Sequence, residues 1–230
     1  MIFNQLFDDK SSTYTYVIAS GEGREALIID PVIEHTEEYI KLLENLKLKL
    51  VKVIDTHIHA DHITGLNELS KRTDCSKIMG EHSKSEVIDL KIKDNEKIEI
   101  EKIELTAIYT PGHTDCSYSY LMNDRVFTGD TLLINGTGRT DFQNGNSYDA
   151  YESIFNRLLK LPENTFVYPA HDYNGKKHST IRDEKNNNPR LQVNSKEEYA
   201  EIMNNLKLAN PKMMDVAVPA NIKGLTLKEL

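Results

Sequence analysis

Three imidazoles and a carboxylate fall within six positions of the segment Thr56-His57-Ile58-His59-Ala60-Asp61-His62. Few folds can accommodate such density. His57 and His59 alternate, so on extended chain both side chains point the same way. Neutral imidazole and carboxylate are the groups from which proteins build transition-metal sites. With 8 histidines in 230 residues, chance clustering on a surface is a poor account of the motif.

The setting repeats. The β-branched run Leu50-Val51-Lys52-Val53-Ile54 leads into the motif, and Ile63, Leu66 and Leu69 follow at helical spacing, which predicts a helix starting near Asp61-His62. Ile103 to Tyr109 reads as a strand running into Thr110-Pro111-Gly112-His113. Arg125-Val126-Phe127-Thr128 runs into Gly129-Asp130, and Thr165-Phe166-Val167-Tyr168 into Pro169-Ala170-His171-Asp172. His113 or His171 alone would be an ordinary polar residue. If the four strands share a sheet, their trailing loops can converge at one edge, where α/β proteins place their sites.

Elsewhere Ile2 to Phe7, Thr13 to Ala19 and Ala26 to Ile29 read as strands, the last ending at Asp30-Pro31. Thr36 is the expected N-cap of a helix with Glu37 and Glu38 in its first turn and an apolar stripe of Tyr39, Ile40, Leu42, Leu43 and Leu46. A second helix is expected from Ser147 to Pro162, and Ser195-x-x-Glu198 is a capping box opening a third. The run Ile98 to Leu105 alternates only partly and leaves its strand edges open. Alternating strands and helices indicate an α/β fold, most simply one domain over residues 1–230 with a helical C-terminal segment from about 195.

Composition excludes several classes. Hydrophobic residues at 39% and charged residues at 28% are ordinary for a globular chain. No apolar run approaches the ~20 residues of a membrane span, and the N-terminus has no basic-then-apolar leader, so a cytoplasmic location is expected. Cys75 and Cys116 lack the spacing of a metal or redox pair and read as free thiols. A net charge of −8 argues against nucleic acid as the main partner.

The motif His57-x-His59-x-Asp61-His62, followed by Gly112-His113-Thr114, Gly129-Asp130 and Ala170-His171, resembles the metallo-β-lactamase superfamily. The longer run Gly129-Asp130-Thr131-Leu132-Leu133-Ile134-Asn135-Gly136-Thr137-Gly138-Arg139-Thr140-Asp141-Phe142-Gln143 resembles the persulfide dioxygenases more specifically. So do Pro169-Ala170-His171-Asp172-Tyr173 and Asn188-Pro189-Arg190-Leu191. The likeness runs over nearly the whole chain. It implies a four-layer αββα sandwich with a metal between the edges of two sheets, and it allows a homodimer.

The resemblance also implies one Fe(II) per chain, held by His57, His113 and Asp130. Two histidines and one carboxylate leave positions open for substrate and O2, as in non-haem Fe(II) oxygenases. His59, Asp61, His62 and His171 would then orient those ligands from an outer shell, or form a second metal site, since their ligand types are the same. Asn135-Gly136-Thr137-Gly138 reads as a turn that lets Arg139 approach the metal loops. By resemblance, Arg139, Tyr173 and Arg190 bind the glutathione moiety of a glutathione persulfide. Guanidinium suits the two carboxylates of glutathione, whereas Lys176-Lys177 reads as solvated surface. The expected activity is oxidation of that persulfide with O2 and water to glutathione and sulfite. The main rival is a two-zinc thioester hydrolase like glyoxalase II, in which Asp130 would bridge the ions. A non-enzymatic metal-binding or nuclease-like module is a weaker alternative, because no basic surface or added domain is evident.

Overall fold

A computed structural model describes residues 1–211 and 213–229. Strands β1 (Ile2–Asp8), β2 (Thr13–Ala19) and β3 (Glu25–Ile29) form an antiparallel meander. After helix α1 (Thr36–Asn45), β4 (Lys49–Ile54) joins parallel to β3. After helix α2 (Leu66–Thr73), β5 (Ser76–Gly80) and β6 (Leu90–Ile92) extend the same sheet in parallel. The second sheet begins with β7 (Lys97–Ile100), β8 (Ile103–Tyr109), β9 (Tyr118–Leu121) and β10 (Arg125–Gly129). A short ribbon of β11 (Leu132–Leu133) and β12 (Gly136–Thr137) follows, then helix α3 (Ser147–Asn156). Strands β13 (Phe166–Pro169) and β14 (Ser179–Thr180) complete the second sheet in the order β14-β13-β10-β9-β8-β7. Helices α4 (Ile181–Asn187), α5 (Lys196–Asn204) and α6 (Met214–Lys223) close the described chain.

Residue alternation along the strands makes three apolar layers. Tyr16, Ile18, Leu27, Ile29 and Ile54 face Leu105, Ala107, Tyr118, Tyr120 and Phe127 between the sheets. The opposite faces of β2, β3 and β4 bury Val17, Ala26, Ile28 and Val53 against Tyr39 and Leu43 of α1 and Leu66 and Leu69 of α2. Val126 and Val167 pack outward on Ile154 of α3, Ile181 of α4 and Tyr199 of α5. Each fully buried side chain of this kind stabilises by about 1.5–3 kcal/mol. The result is the αββα sandwich. In β4 an extra residue between Leu50 and Lys52 shifts the register against β3, so that Val51 and Ile54, three apart, both meet the inter-sheet core.

Strand direction places the site. Strand β9 is antiparallel to both β8 and β10, and β13 is parallel to β10, so β8, β10 and β13 all end at one edge of the second sheet. His113, Asp130 and His171 follow those ends. Strands β3 and β4 are parallel, so Asp30 and the His57–His62 loop leave one edge of the first sheet together. The two edges are joined by Tyr118 N–H donating to the Thr56 carbonyl at 2.8 Å and Tyr14 N–H to the Ala170 carbonyl at 2.7 Å.

Several expected boundaries move for visible reasons. The helix after the histidine motif starts at Leu66, not at Asp61-His62. The Gly65 N–H donates to Pro31 and the Thr64 N–H to the Asn221 side chain, which holds the backbone of that stretch in the loop. Thr36 is not a cap. A 3-10 turn at Ile33–His35 precedes it, and its hydroxyl donates to the Ile33 carbonyl at 2.7 Å. Helix α3 ends at Asn156 instead of running to Pro162, and a 3-10 turn at Leu158–Lys160 keeps Leu158 and Leu159 buried. The Ile98–Leu105 run resolves into the β7–β8 hairpin, turning at Glu101 with φ 47°. Ser195 does cap α5, accepting from Glu198 N–H at 3.2 Å, and the Glu198 carboxylate reaches back to Asn194 N–H at 2.7 Å. Both cysteines are free and buried. Among the described residues no helix is long and apolar enough to cross a membrane.

Candidate metal centre

The structure gathers all seven expected ligands. His57, His113 and Asp130 form one group whose donor atoms lie within 4.8 Å of one another, and His59, Asp61 and His62 form another. The His57 and His59 rings are 4.2 Å apart, so the groups adjoin. His171 Nε2 stands between them, 3.5 Å from Asp61 and 3.6 Å from Asp130.

Each imidazole has one nitrogen tied, four of them from behind and that of His62 by Asp61 of its own donor group. His113 Nδ1 lies 2.8 Å from the Arg139 carbonyl, which can only accept, so Nδ1 carries the proton and Nε2 is free. His171 Nδ1 donates to the Ser12 carbonyl at 3.1 Å by the same logic. The Thr56 hydroxyl donates to Asp30 Oδ2 at 3.0 Å, so its oxygen accepts from His57 Nδ1 at 2.9 Å. His59 Nε2 donates to Asp30 Oδ1 at 3.2 Å, and His62 Nδ1 meets Asp61 at 2.9 Å. Backing of this kind fixes the tautomer and aims the other nitrogen at a metal. His59 Nδ1, His62 Nε2 and Asp130 Oδ1 are buried with no hydrogen-bond partner. Orphaned buried polar atoms are costly, and a cation would satisfy all three.

At His57, His59 and Asp130 the electrostatics agree with ligand chemistry. Burial, with His59 and His113 alongside, holds His57 well below the usual imidazole range, and burial with His62 does the same to His59. Both are therefore neutral with a lone pair to give. Burial alone would raise Asp130, but His171, His113 and His57 outweigh it and hold the carboxyl low. Burial opposes charge on His171, yet Asp130 and Asp61 push it up to about 9.

Two glycines permit the approach. Gly129, at φ 52°, precedes Asp130, and a Cβ there would lie 2.6 Å from Thr56 Oγ1. A Cβ on Gly138 would lie 2.1 Å from the Asp130 carbonyl and 2.9 Å from His113 Nδ1. Any side chain at either position would push the loops apart.

A cleft of about 350 Å³ opens on the first group, within the range of small-molecule sites. Arg139, Tyr173 and Arg190, the expected substrate residues, line it with His113, Asp130 and Leu133. The Tyr173 ring is 72% exposed and lies parallel to His171 at 6.1 Å. Arg190 donates to the carbonyl and hydroxyl oxygens of Thr137. Arg139 is already paired bidentately with Asp141, at 2.7 and 2.8 Å. A larger groove of about 510 Å³ lies between β1 and α1 and is lined by none of these residues.

The similarities of the chain follow this geometry. A model of the metallo-beta-lactamase superfamily matches residues 8–91 and 79–171. The mitochondrial persulfide dioxygenase ETHE1 of Mus musculus is 42% identical over 226 residues, covering 97% of this chain and 88% of that protein. The chain belongs to the persulfide dioxygenase family. The Homo sapiens member is 41% identical over the same coverage. The crystal structure of ETHE1 from Myxococcus xanthus superposes with a TM-score of 0.94 at 45% identity, covering 96% of this chain and 98% of that one. Likeness to a hydroxyacylglutathione hydrolase of Dictyostelium discoideum is lower, 32% identity over 70% of this chain and 62% of that enzyme.

Family membership came from the loops, but three residues around the metal centre were not found from sequence. Asp30 backs both Thr56 and His59; the only local sign was an acid at the end of an apolar strand, before Pro31. Thr13 donates to Asp61 at 3.1 Å from the start of β2. Asn221 donates to the His59 and His62 carbonyls at 2.9 and 3.0 Å, and nothing local to α6 announces it.

Proposed function

We propose that the chain is an iron-dependent persulfide dioxygenase acting on glutathione persulfide. The balanced reaction is RSSH + O2 + H2O → RSH + SO3²⁻ + 2 H⁺, in which the outer sulfur is oxidised and O2 reduced. The observation that carries this reading is the opening of the His57–His113–Asp130 group, through His113 and Asp130, on a cleft lined by Arg190 and Tyr173, in a chain 42% identical to a persulfide dioxygenase over 97% of its length.

His57, His113 and Asp130 would hold the Fe(II), which supplies the redox chemistry that side chains lack. Asp30, through Thr56 and His59, and the Arg139 carbonyl, through His113, keep the imidazoles aimed. Leu133, Leu208 and Ala209 give the cleft an apolar wall that sheds water. Arg190, cationic at all working pH, reaches a glutathione carboxylate across that wall. The exposed Tyr173 hydroxyl, a phenol that titrates well above neutral pH, stays protonated as a donor.

The second donor group favours one rival, a two-zinc thioester hydrolase. Two of its donor atoms, His59 Nδ1 and His62 Nε2, are buried with no hydrogen-bond partner. Metal analysis of the purified protein beside O2 uptake on glutathione persulfide separates the two. One iron per chain with stoichiometric O2 consumption is expected; two zinc ions with thioester hydrolysis and no O2 uptake would replace the reading.

A further inference from the structure

The loop from Arg139 to Asn146 touches two of the loops that carry candidate ligands, those of His113 and of His57. The Arg139 carbonyl accepts from His113 Nδ1, and Asn146 N–H donates to the Gly112 carbonyl at 2.8 Å. The Gln143 amide donates at 2.8 Å to the Ile58 carbonyl, between His57 and His59. The loop has no regular secondary structure between β12 and α3, and Gln143 and Asn144 sit at φ 47° and 58°. Its shape therefore depends on the contacts that close it.

The closing contact is the Arg139 side chain. Nε and Nη2 donate to the two Asp141 oxygens, and Nη1 donates to the Ala209 carbonyl at 2.7 Å. The guanidinium carbon lies 4.4 Å over the Phe142 ring. Exposed ion pairs often contribute little. This one has a two-pronged fork, and the Arg139 side chain is only 13% exposed. The Asp141 carboxylate is more open, at 55%. For a substrate carboxylate to take this fork, Asp141 must leave it, so one anion is merely exchanged for another. Arg190 has no such obstacle, since its side-chain partners are the uncharged oxygens of Thr137.

We infer that Asp141 is a positioning residue. By holding Arg139 bidentately it braces the loop that orients His113 and anchors the Leu208–Ala209 wall of the cleft. Arg139 acts through that brace. The inference rests on His113 being a metal ligand and on the cleft being the substrate site.

Co(II) binding to the metal-free protein, followed by absorption of the bound ion with no persulfide or O2 present, tests the brace directly. Asp141→Asn is expected to bind Co(II) ~10–100-fold more weakly, the range for losing a partner that orients a ligand. Arg139→Ala should match it, and the double variant should be no weaker than either single, because both remove one interaction. Asp141→Glu keeps the carboxylate and should recover part of the loss. Thermal melts establish that each variant folds. In steady state, Asp141→Asn should lower kcat without lowering KM. Wild-type Co(II) affinity in Asp141→Asn overturns the inference. So does a lowered KM in that variant, because a freed guanidinium would then be gripping substrate. The cobalt measurement stands apart from the assigned reaction: it can succeed in a protein that oxidises no persulfide, and persulfide oxidation can hold while it fails.

Discussion

The two donor groups of the metal centre use the same chemistry and differ in what lies around them. His113 and Asp130 of the first group line the cleft, with side chains 12% and 14% exposed. In the second group, His59 and His62 are buried, and Asp61 Oδ2 is already engaged by Thr13 and His62, with His171 3.5 Å away. Donor inventory therefore says little about the reaction. What each group opens on says more: His113 and Asp130 line the cleft with Arg139, Tyr173 and Arg190, and no residue of the second group lines it. Donor types are written in the motif, whereas engagement is a property of the packed loops.

The largest expected effect breaks this comparison if it fails. His113→Ala should remove bound iron and O2 uptake together, since it deletes a direct ligand facing the cleft. His59→Ala should keep part of the iron, because losing an outer partner costs ~10–100-fold in affinity or activity. Metal analysis and O2 uptake on both variants provide the check. Equal and complete metal loss in both would make the second group a direct metal site and strengthen the hydrolase.

A smaller effect sharpens the place of the substrate. Arg190→Ala removes a cation from the cleft wall without touching either donor group. A charge-assisted hydrogen bond is worth about 1.5–3 kcal/mol, so kcat/KM should fall roughly 10–100-fold. The loss should lie mainly in KM, with iron content unchanged, if the contact holds ground state and transition state alike. A wild-type KM would move the substrate away from this wall.

Much of this was legible in the chain. The His57–His62 segment, Gly112-His113, Gly129-Asp130 and Ala170-His171 each follow an apolar run, and the strand ends did bring them to one place. Local sequence carries that signal because strand and ligand are neighbours. The backing residues were hidden for the opposite reason. Asn221 lies 159 residues from His62, and Thr13 48 from Asp61; only packing of α6 and β2 onto the loop puts them there. The engagement of Arg139 was hidden differently. Its partner Asp141 is two residues away and stood in the recognised motif, but a sequence cannot show whether an acid faces its neighbour or solvent. Helix starts failed where tertiary hydrogen bonds claimed the backbone, as at Gly65 and Thr64.

The smallest predicted effect tests whether the web behind the second group reaches the surface. His35 Nε2 meets Asp8 Oδ1 at 2.8 Å, and Nδ1 meets Glu38 at 3.1 Å. Asp8 Oδ2 accepts from the Ser11 hydroxyl at 2.6 Å, Ser11 lies 2.7 Å from the Thr13 hydroxyl, and Thr13 donates to Asp61. Burial alone would raise Asp8, but the Ser11 and His35 hydrogen bonds bring it down to about 2. Burial alone would lower His35, but Asp8 and Glu38 raise it above its ordinary 6.5. A raised histidine contributes stability that is complete below 6.5 and lost as pH climbs through the folded value. A depressed aspartate contributes stability that is complete above 3.8 and lost as pH falls toward about 2. The pair is thus at full strength between pH 3.8 and 6.5. His35→Gln should lower the melting temperature most in that window, with the gap to wild type closing on either side. A gap of constant size across pH would mean that His35 contributes packing alone. If the gap closes as expected while iron content stays at wild type, the outer end of the web is stabilising without being needed to hold the metal.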